Sequence, residues 1–408
     1  MRLLPILIFV LTYLGVALGR VPWLTLDRTG IALLGAIAMV ASGALPMDFA
    51  LAAIDHGTIL LLFALMIVSA QLRLGGFYTW AALRSAALLD RPRLFLMASM
   101  LLSALLSALL ANDIVCLAFT PVIALSVRGA GLNPAPYLLG LALASNIGSA
   151  ATIIGNPQNM LIGQVGRLAF GPFIAWCLPP VLASLAGAFV LLCARYRRRF
   201  TLPQAAADHA AAPPLQPFNR WQSTKGLAAT TVLVLLFFTG IPRELSALAV
   251  AGLLLCSRRM QSRQMLTLVD WHLITLFCAL FIVIEGISLQ GAPERILGHL
   301  TARGIEIQNL YVLSLAATVL SNLVSNVPAV MLIVRFLDAA VPSQWYVLAL
   351  ASTFAGNLIL IGSIANLIVV EQARICGVDL GFREHAAIGV PVTLVSILIL
   401  MAWIVFMG

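Results

Sequence analysis

The sequence contains little charge. Only 10% of its 408 residues are Asp, Glu, Lys or Arg, against roughly a quarter in soluble domains. Hydrophobic residues make up 62%, and the mean hydropathy is +1.04. A soluble protein of this composition has too few polar groups to cover its surface, so a lipid bilayer is the solvent that fits. We interpret the formal charge of +9 as the basic cytoplasmic side of a membrane protein, and we expect no nucleic acid binding.

Motifs for catalysis and metal binding are also missing. The six cysteines form no Cys-x-x-Cys pair, and the five histidines show no metal-binding spacing. Neither Gly-x-Ser-x-Gly, nor His-Glu-x-x-His, nor a Walker loop occurs. We therefore expect no enzyme activity and no cofactor, and we expect any transport to be coupled to an H⁺ or Na⁺ gradient.

Long apolar stretches, by contrast, fill most of the chain and predict membrane spans. They cover residues 3–19, 29–45, 57–74, 94–127, 134–167, 172–194, 224–240, 243–257, 271–288, 309–337, 342–371 and 386–406. The first also resembles a signal peptide, but the alternation of spans favours a retained one. Residues 195–223 are rich in Ala, Pro and charge and predict an exposed linker.

The basic residues predict the orientation of these spans. If the linker 195–223 lies in the cytoplasm, alternating spans place most of the 24 Lys and Arg residues on the same side. This asymmetry is what the positive-inside rule describes. We therefore predict a multi-pass protein of the bacterial inner membrane with both termini in the periplasm.

Two of the long stretches have a short polar centre. The first, 93–128, is interrupted only by Asn112 and Asp113, and the second, 308–338, has Ser325 and Asn326 at its middle. Such short tips favour re-entrant hairpins that turn within the membrane, although two full spans would return the chain to the same face.

Each predicted hairpin precedes a polar stretch that predicts a broken helix, 134–167 in the first half and 342–371 in the second. Asn112 and Asn326 are 214 residues apart, Asn146 and Asn357 are 211 apart, and the glycines of the two breaks are 207 apart. This pattern predicts an internal duplication, with residues 1–194 and 224–408 as the repeats. Five spans and one hairpin in each half make the second repeat inverted relative to the first.

The polar residues of these four segments form the predicted substrate- and ion-binding site. Amide oxygens and the backbone carbonyls freed at a break are hard ligands that suit Na⁺, while helix N-termini suit anions. Hydrogen bonds between helices, worth about 0.6 kcal/mol each, are the alternative, but the repetition of the pattern favours a site. The predicted residues are Asn112, Asp113, Ser145, Asn146, Gly155, Asn156, Asn159, Ser325, Asn326, Asn357, Gly362, Ser363 and Asn366.

Asp113 is the only acidic residue in the interior of either hairpin stretch, 94–127 or 309–337. A carboxylate at that depth costs about 2.5 to 3.5 kcal/mol on insertion scales. We expect Asp113 to cap the returning helix, with Asn326 as the matching cap in the second hairpin, and to contact an ion or the substrate. Na⁺ is expected at Asn112, Asp113, Asn326 and neighbouring carbonyls. Glu285 is a weaker candidate that we interpret as interfacial.

The sequence resembles the ion transporter superfamily of arsenite permeases, NhaD-type sodium/proton antiporters and divalent-anion/sodium symporters. The stretches that carry the resemblance are ANDIVCLAFTP, ASNIGSAATIIGNPQNMLIG and GNLILIGSIANLIVVEQA, and the arsenite-permease branch with its YbiR-type permeases is the most similar. The resemblance implies an all-α polytopic fold of two inverted repeats, each with about five spans, a re-entrant hairpin and a broken helix. It also implies a homodimer that works by an elevator-like movement.

The hairpin tips of dicarboxylate symporters read Ser-Asn-Thr, and only their Asn carries over, to Asn112 and Asn326. The Thr is replaced by Asp113 in one tip and Val327 in the other. An additional carboxylate repels a dianion, so the tips favour a cation, a proton-coupled substrate or a neutral metalloid acid.

We therefore predict a secondary active transporter for a small inorganic ion, anion or metalloid. An NhaD-like Na⁺/H⁺ antiporter and an arsenite or antimonite efflux permease are the alternatives. A passive channel and a membrane-embedded enzyme are further alternatives that the sequence favours less. The expected partners are the small-ion substrate, the lipid bilayer and a second copy of the chain.

Overall fold

Helices form almost all of the regular structure of the chain. The computed structural model describes residues 3–19, 24–197, 200 and 216–407, and within these ranges it contains α-helices, two short 3-10 helices and no β-strand. The predicted all-α, multi-pass class is thereby confirmed. Arg2, Arg20 and most of the predicted linker, residues 198–199 and 201–215, lie outside the described residues.

Ten α-helices precede the linker and ten follow it within the described ranges. Those of the first half are α1 Leu3–Leu18, α2 Arg28–Ala41, α3 Met47–Ala52, α4 His56–Leu74, α5 Phe77–Ala86, α6 Pro92–Leu109, α7 Asn112–Gly129, α8 Ala135–Ser149, α9 Pro157–Val165 and α10 Phe170–Arg195. Those of the second half are α11 Arg220–Leu236, α12 Arg243–Leu255, α13 Ser262–Leu266, α14 Trp271–Ser288, α15 Ala292–Thr301, α16 Leu310–Val324, α17 Asn326–Ile333, α18 Pro342–Ala355, α19 Ile364–Ile375 and α20 Phe382–Met407. The 3-10 helices are Val334–Phe336 and Leu360–Gly362.

Six of the described helices, α4, α6, α7, α10, α14 and α20, are long and apolar enough to cross a membrane. Helices α1, α2, α16 and the segment 326–336 are apolar but shorter. The two predicted broken spans are absent from this group because each is divided into two segments too short to cross alone. Large apolar side chains stand exposed on these helices, Phe406 to 78% and Val405 to 68%, as expected where lipid replaces water.

Both predicted hairpins consist of two helices joined by a very short turn. In the first, α6 and α7 are separated by two residues, Leu110 and Ala111, and in the second α16 and α17 are separated by Ser325 alone. By length, α6 and α7 each rise about 27 Å over 18 residues. Whether they turn within the membrane stays a prediction.

Helix packing brings the two halves together crosswise. Helix α2 packs on α14 and α12 packs on α4, while α6 packs on α8 and α16 packs on α18. The returning arm of each hairpin contacts the second segment of the other half's broken helix, α7 against α19 and α17 against α9. Hairpins and broken helices thus meet in the interior. The inverted orientation of the second repeat stays a prediction that this exchange of partners supports.

Four short helices, α3, α5, α13 and α15, lie outside the predicted spans. Helices α5 and α15 each follow a glycine with positive φ, Gly76 at 71° and Gly291 at 67°. The turn at Gly76 contacts the residues just before α11, where the backbone N–H of Asn219 donates to the Gly75 carbonyl at 2.8 Å. This hydrogen bond connects the last residues of the predicted linker to the first half.

Candidate functional site

Both polar stretches break their helices where the sequence analysis predicts. Helix α8 ends at Ser149 and α9 begins at Pro157, while α18 ends at Ala355 and α19 begins at Ile364. Every residue of α8 is buried, and so are residues 150–160. Irregular backbone at membrane depth is tolerated when protein surrounds it, and burial meets that condition here.

In each break, the side-chain amide of one asparagine donates hydrogen bonds to backbone carbonyls of the break. The Nδ2 of Asn159 donates to the carbonyls of Thr152 at 3.0 Å and Ser149 at 3.4 Å. The Nδ2 of Asn366 donates to the carbonyls of Ile359 at 3.4 Å and Gly356 at 2.8 Å. Both asparagines reach back seven and ten residues. Asn159 and Asn366 therefore replace helical hydrogen bonds lost at the breaks.

These matching bonds align the two breaks residue for residue at a constant separation of 207 positions. At that separation Asn146 corresponds to Thr353, and Asn357 corresponds to Ala150. Pairing Asn146 with Asn357, as their similar neighbourhoods predict, is therefore wrong for the geometry of the breaks. The hydrogen bonds of Asn159 and Asn366 therefore fix the alignment of the two breaks.

Asn146 is the centre of the polar interior. Its Nδ2 donates to the Oδ1 atoms of Asn357 at 2.9 Å and Asn366 at 3.0 Å. Its Oδ1 accepts from Ser363 Oγ at 2.9 Å and from Asn112 Nδ2 at 3.3 Å. With 2% of its surface exposed, Asn146 joins the first hairpin tip and the second break through one amide.

A second set of bonds ties the first hairpin to α8. Ser145 Oγ lies 2.7 Å from Ser107 Oγ on α6, and it donates to the backbone carbonyl of Asn112 at 3.3 Å. The hydroxyl of Thr152 donates to the carbonyl of Ala108 near the end of α6. These contacts position the tip against the break.

Asn156 connects the first break to the second half. Its Oδ1 accepts from the backbone N–H of Asn159 at 2.8 Å and so caps α9. Its Nδ2 donates to Ser149 Oγ at 2.9 Å and to Thr353 Oγ1 at 3.2 Å. Ser363, the counterpart of Asn156 at the start of α19, makes no capping bond and instead binds Asn146.

Neither glycine of the breaks has a positive φ. Their backbone conformation therefore does not require glycine, and the space around each one decides whether a side chain would fit. A Cβ on Gly155 would lie 2.1 Å from the Ser149 carbonyl oxygen, whereas a Cβ on Gly362 would meet nothing closer than 3.1 Å. Gly155 therefore permits a backbone contact that no other residue allows.

The capping roles predicted for Asp113 and Asn326 are wrong. The N-cap residue of α7 is Ala111 and that of α17 is Ser325, and neither makes a side-chain capping bond. Asn112 and Asn326 are the first helical residues and Asp113 is the second. In the orientation that satisfies its neighbours, the Nδ2 of Asn326 faces the carbonyls of Ser352 and Gly362 at 3.3 Å each.

Ser325 has φ 77° and ψ 158°, a conformation that glycine adopts readily and other residues rarely do. The turn of the second hairpin is therefore strained. The corresponding turn in the first hairpin, at Leu110 and Ala111, has ordinary negative φ values.

A small cavity of about 30 Å³ lies between both hairpin tips and both breaks. Of the predicted residues, those that line it are Asn112, Asp113, Asn146, Ser325, Asn326 and Ser363. The others stand behind this lining and support it, namely Ser145, Gly155, Asn156, Asn159, Asn357, Gly362 and Asn366.

Several residues of the cavity are missing from the predicted set. Pro157, Gln158, Val327 and Ile364 line it beside the predicted ones. Leu273, in the first turn of α14, also contributes, although α14 carries no polar break that would reveal it. Asp270 caps α14 through a bond from the Leu273 N–H at 2.9 Å. A second acidic side chain thus lies at the start of the helix that contributes Leu273 to the cavity.

One oxygen atom of the lining lacks a partner. Asn112 is 6% exposed, and its Oδ1 has no hydrogen-bond partner. With the Asp113 carboxylate in the next position, this oxygen suits a cation or a ligand with hydroxyl groups to donate. Within the described ranges no group of three or more His, Cys, Asp or Glu residues has a metal-binding arrangement. Glu285 does not line the cavity; it pairs with Arg335 at 3.0 Å.

This fold and this enclosed polar cavity are those of a polytopic membrane transport protein. The chain belongs to the CitMHS family, described as citrate transporter, which matches residues 8–355. The predicted superfamily resemblance is thereby confirmed.

Two relatives and one solved structure extend this comparison. The silicon efflux transporter LSI3 of Oryza sativa subsp. japonica is 30% identical, with 92% of each chain covered. The inner membrane protein YbiR of Escherichia coli (strain K12) is also 30% identical, with 79% of this chain and 81% of YbiR covered. The crystal structure of the Alcanivorax borkumensis YdaH transporter matches with a TM-score of 0.56 over 99% of this chain and 97% of its own, at 16% identity, which shows a shared fold alone.

Proposed function

We propose that this protein is a secondary active transporter that moves a small inorganic solute across the bacterial inner membrane, coupled to an H⁺ or Na⁺ gradient. The observation that carries this proposal is the cavity where both hairpin tips and both breaks meet. Ends of interrupted helices converging on one polar cavity are the usual way a transporter binds an ion in a membrane.

A neutral metalloid acid is the substrate class that the cavity chemistry favours. Such a hydroxyl-bearing molecule donates hydrogen bonds, and the Asn112 Oδ1 and the Asp113 carboxylate can accept them. Citrate carries several negative charges at neutral pH, and the acidic side chain in the lining repels such an anion. The name of the silicon efflux transporter among the relatives agrees with a neutral substrate of this kind.

Asp113 is the proposed coupling group. It lines the cavity one residue after Asn112 at the start of α7, and the residue types there fit Na⁺ as well as a proton. Asn112 Oδ1, Asp113 and Asn326 with neighbouring carbonyls supply the hard oxygen ligands that Na⁺ prefers. A Na⁺/H⁺ antiporter is the second candidate, because the same oxygens would serve Na⁺ as the transported ion.

An elevator-like movement is the proposed mechanism. Hairpin arms and broken helices contact each other across the halves, α7 with α19 and α17 with α9, and this supports their movement as one unit. Helices α2, α4, α12 and α14 pack on one another across the halves, and we propose that they form the static scaffold. Leu273 at the start of α14 lines the cavity, so a displacement of the mobile unit would change how the cavity is closed.

We also propose a homodimer with the central linker in the cytoplasm.

Proteoliposomes provide the test. The purified protein is reconstituted, and accumulation of arsenite, silicic acid, citrate and radioactive Na⁺ is measured with and without imposed pH or Na⁺ gradients. We expect the metalloid acids to accumulate only under a gradient, with little citrate transport. Equal flux with no gradient and no accumulation would mean a channel. Na⁺ uptake that alkalinises or acidifies the lumen, without metalloid transport, would favour the antiporter.

A further inference from the structure

A basic cleft that shares no lining residue with the transport cavity lies where α11 begins and α12 ends. Its lining includes Trp221 and Lys225 from α11 and Ser257, Arg258 and Arg259 from the residues after α12. Trp221 and Lys225 are four residues apart and share one face of α11. Three cationic side chains therefore surround one open space between two helices that pack on each other.

No acidic side chain of the described residues forms an ion pair with these three cations. The three ion pairs found in the described part of the chain join His272 to Asp27, Arg335 to Glu285 and Arg374 to Glu371. Within the described residues, Lys225 donates to the backbone carbonyl of Leu254, at 3.4 Å. Arg258 and Arg259 are exposed. The cleft thus presents a positive field to whatever lies in front of it.

The surroundings of the cleft are those of a membrane interface. Trp221 is 65% exposed and Leu253, in the last turn of α12, is 71% exposed. Phe218, three residues before Trp221, stacks on Trp80 with ring centroids 5.3 Å apart, and Arg84 lies 5.7 Å from the Trp80 ring centroid. Aromatic rings and arginines concentrate at the level of lipid headgroups, while exposed leucines belong beside the acyl chains.

We propose that this cleft binds the phosphate headgroup of an anionic phospholipid, with the acyl chains lying along the apolar surface that includes Leu253. Paired arginines and a lysine between the ends of membrane helices are suited to a lipid phosphate. The exposed apolar surface beside the cations favours a lipid over free phosphate, because free phosphate gains nothing from it. This inference does not depend on the proposed transport function.

Lipid binding by the purified, detergent-solubilised protein tests the proposal. Native mass spectrometry measures bound lipid during titration with phosphatidylglycerol or phosphatidylcholine, and inorganic phosphate and glycerol phosphate are added as competitors. We expect phosphatidylglycerol to bind preferentially. The double variant Arg258→Gln/Arg259→Gln should bind it about 25-fold more weakly, because each basic residue near an anionic lipid contributes about a fivefold effect.

The matched control is Arg295→Gln/Arg303→Gln, which removes the same charge from two arginines at another surface cleft, beside α15. It should leave binding of the cleft lipid unchanged. The variant Arg258→Lys/Arg259→Lys keeps the charge and should retain binding. If the glutamine pair aggregates on size exclusion, the single variants Arg258→Gln and Arg259→Gln replace it, each expected to bind about fivefold more weakly. Equal binding of phosphatidylcholine, equal loss in the control, or full competition by inorganic phosphate at the lipid's own concentration would overturn the proposal.

Discussion

The amide nitrogen of Asn146 lies 2.9 Å from Oδ1 of Asn357, a residue 211 positions further along the chain. This bond joins α8, before the first break, to the irregular segment of the second break. The same nitrogen also donates to Asn366. One side chain of the first half therefore binds two side chains of the second half. The two broken helices are therefore held as one unit.

Replacing Asn146 with alanine should weaken both folding and transport. The change leaves buried polar atoms of Asn357, Asn366 and Ser363 without this partner, and each unsatisfied group costs about 1 to 3 kcal/mol. We expect the free energy of unfolding to fall by about 3 kcal/mol, measured by denaturant titration in detergent, and transport in proteoliposomes to be lost.

Asn309→Ala is the matched control, because Asn309 is an exposed asparagine that caps α16 away from the cavity. It should cost about 1 kcal/mol of stability, as a lost cap does, and leave transport intact. If both alanine variants lowered transport equally, the central role of Asn146 would be wrong.

Replacing Asp113 with asparagine should uncouple transport from the ion gradient. The substitution keeps the size of the side chain but removes the charge that we propose binds the coupling ion. We expect solute inside proteoliposomes to reach only the outside concentration, whatever gradient is imposed. Asp48→Asn, an acidic residue of the short helix α3, should transport normally. An Asp113→Asn variant that still concentrates its substrate would contradict the coupling role.

The equivalent glycines Gly155 and Gly362 should respond differently to alanine. The Cβ of Gly155→Ala meets backbone atoms of Ser149, the nearest at 2.1 Å, and the backbone must move. The Cβ of Gly362→Ala meets the Asn322 side chain at 3.1 Å and the Gly356 carbonyl oxygen at 3.2 Å, and a shift of a few tenths of an ångström relieves both contacts. We expect a loss of about 3 kcal/mol or more for the first and about 1 kcal/mol or less for the second, measured by thermal unfolding in detergent. Equal losses would contradict the packing argument.

Replacing Ser325 with glycine should stabilise the protein. Strained backbone of this kind costs about 1 to 3 kcal/mol, and glycine relieves it at an entropic cost of about 0.5 to 1 kcal/mol. We expect a net gain of about 1 kcal/mol in the free energy of unfolding. Ser321→Gly, inside α16, should instead lose about 1 kcal/mol. A destabilised Ser325→Gly variant would mean that the serine hydroxyl contributes more than the strain costs.

Most of the helices and both breaks could be predicted from the sequence, because apolar length and clustered Gly, Pro and Asn are local signals. The start of α7 at Asn112 and of α17 at Asn326 follow from the polar tips. The residues at the capping positions could not be predicted from the polar tips. They depend on which residue lies just outside the helix, and here these are Ala111 and Ser325.

Composition and the polar interruptions are read along the chain, so they suffice to predict a polytopic helical membrane protein and the residues that interrupt its apolar stretches. What each of these residues does depends on the packing of the helices. Asn159 and Asn366 bond within their own breaks, Asn146 bonds across the halves, and Leu273 joins the cavity without any polar signal. Such partners lie up to 220 residues apart. Only the packing of the helices brings them within hydrogen-bonding distance.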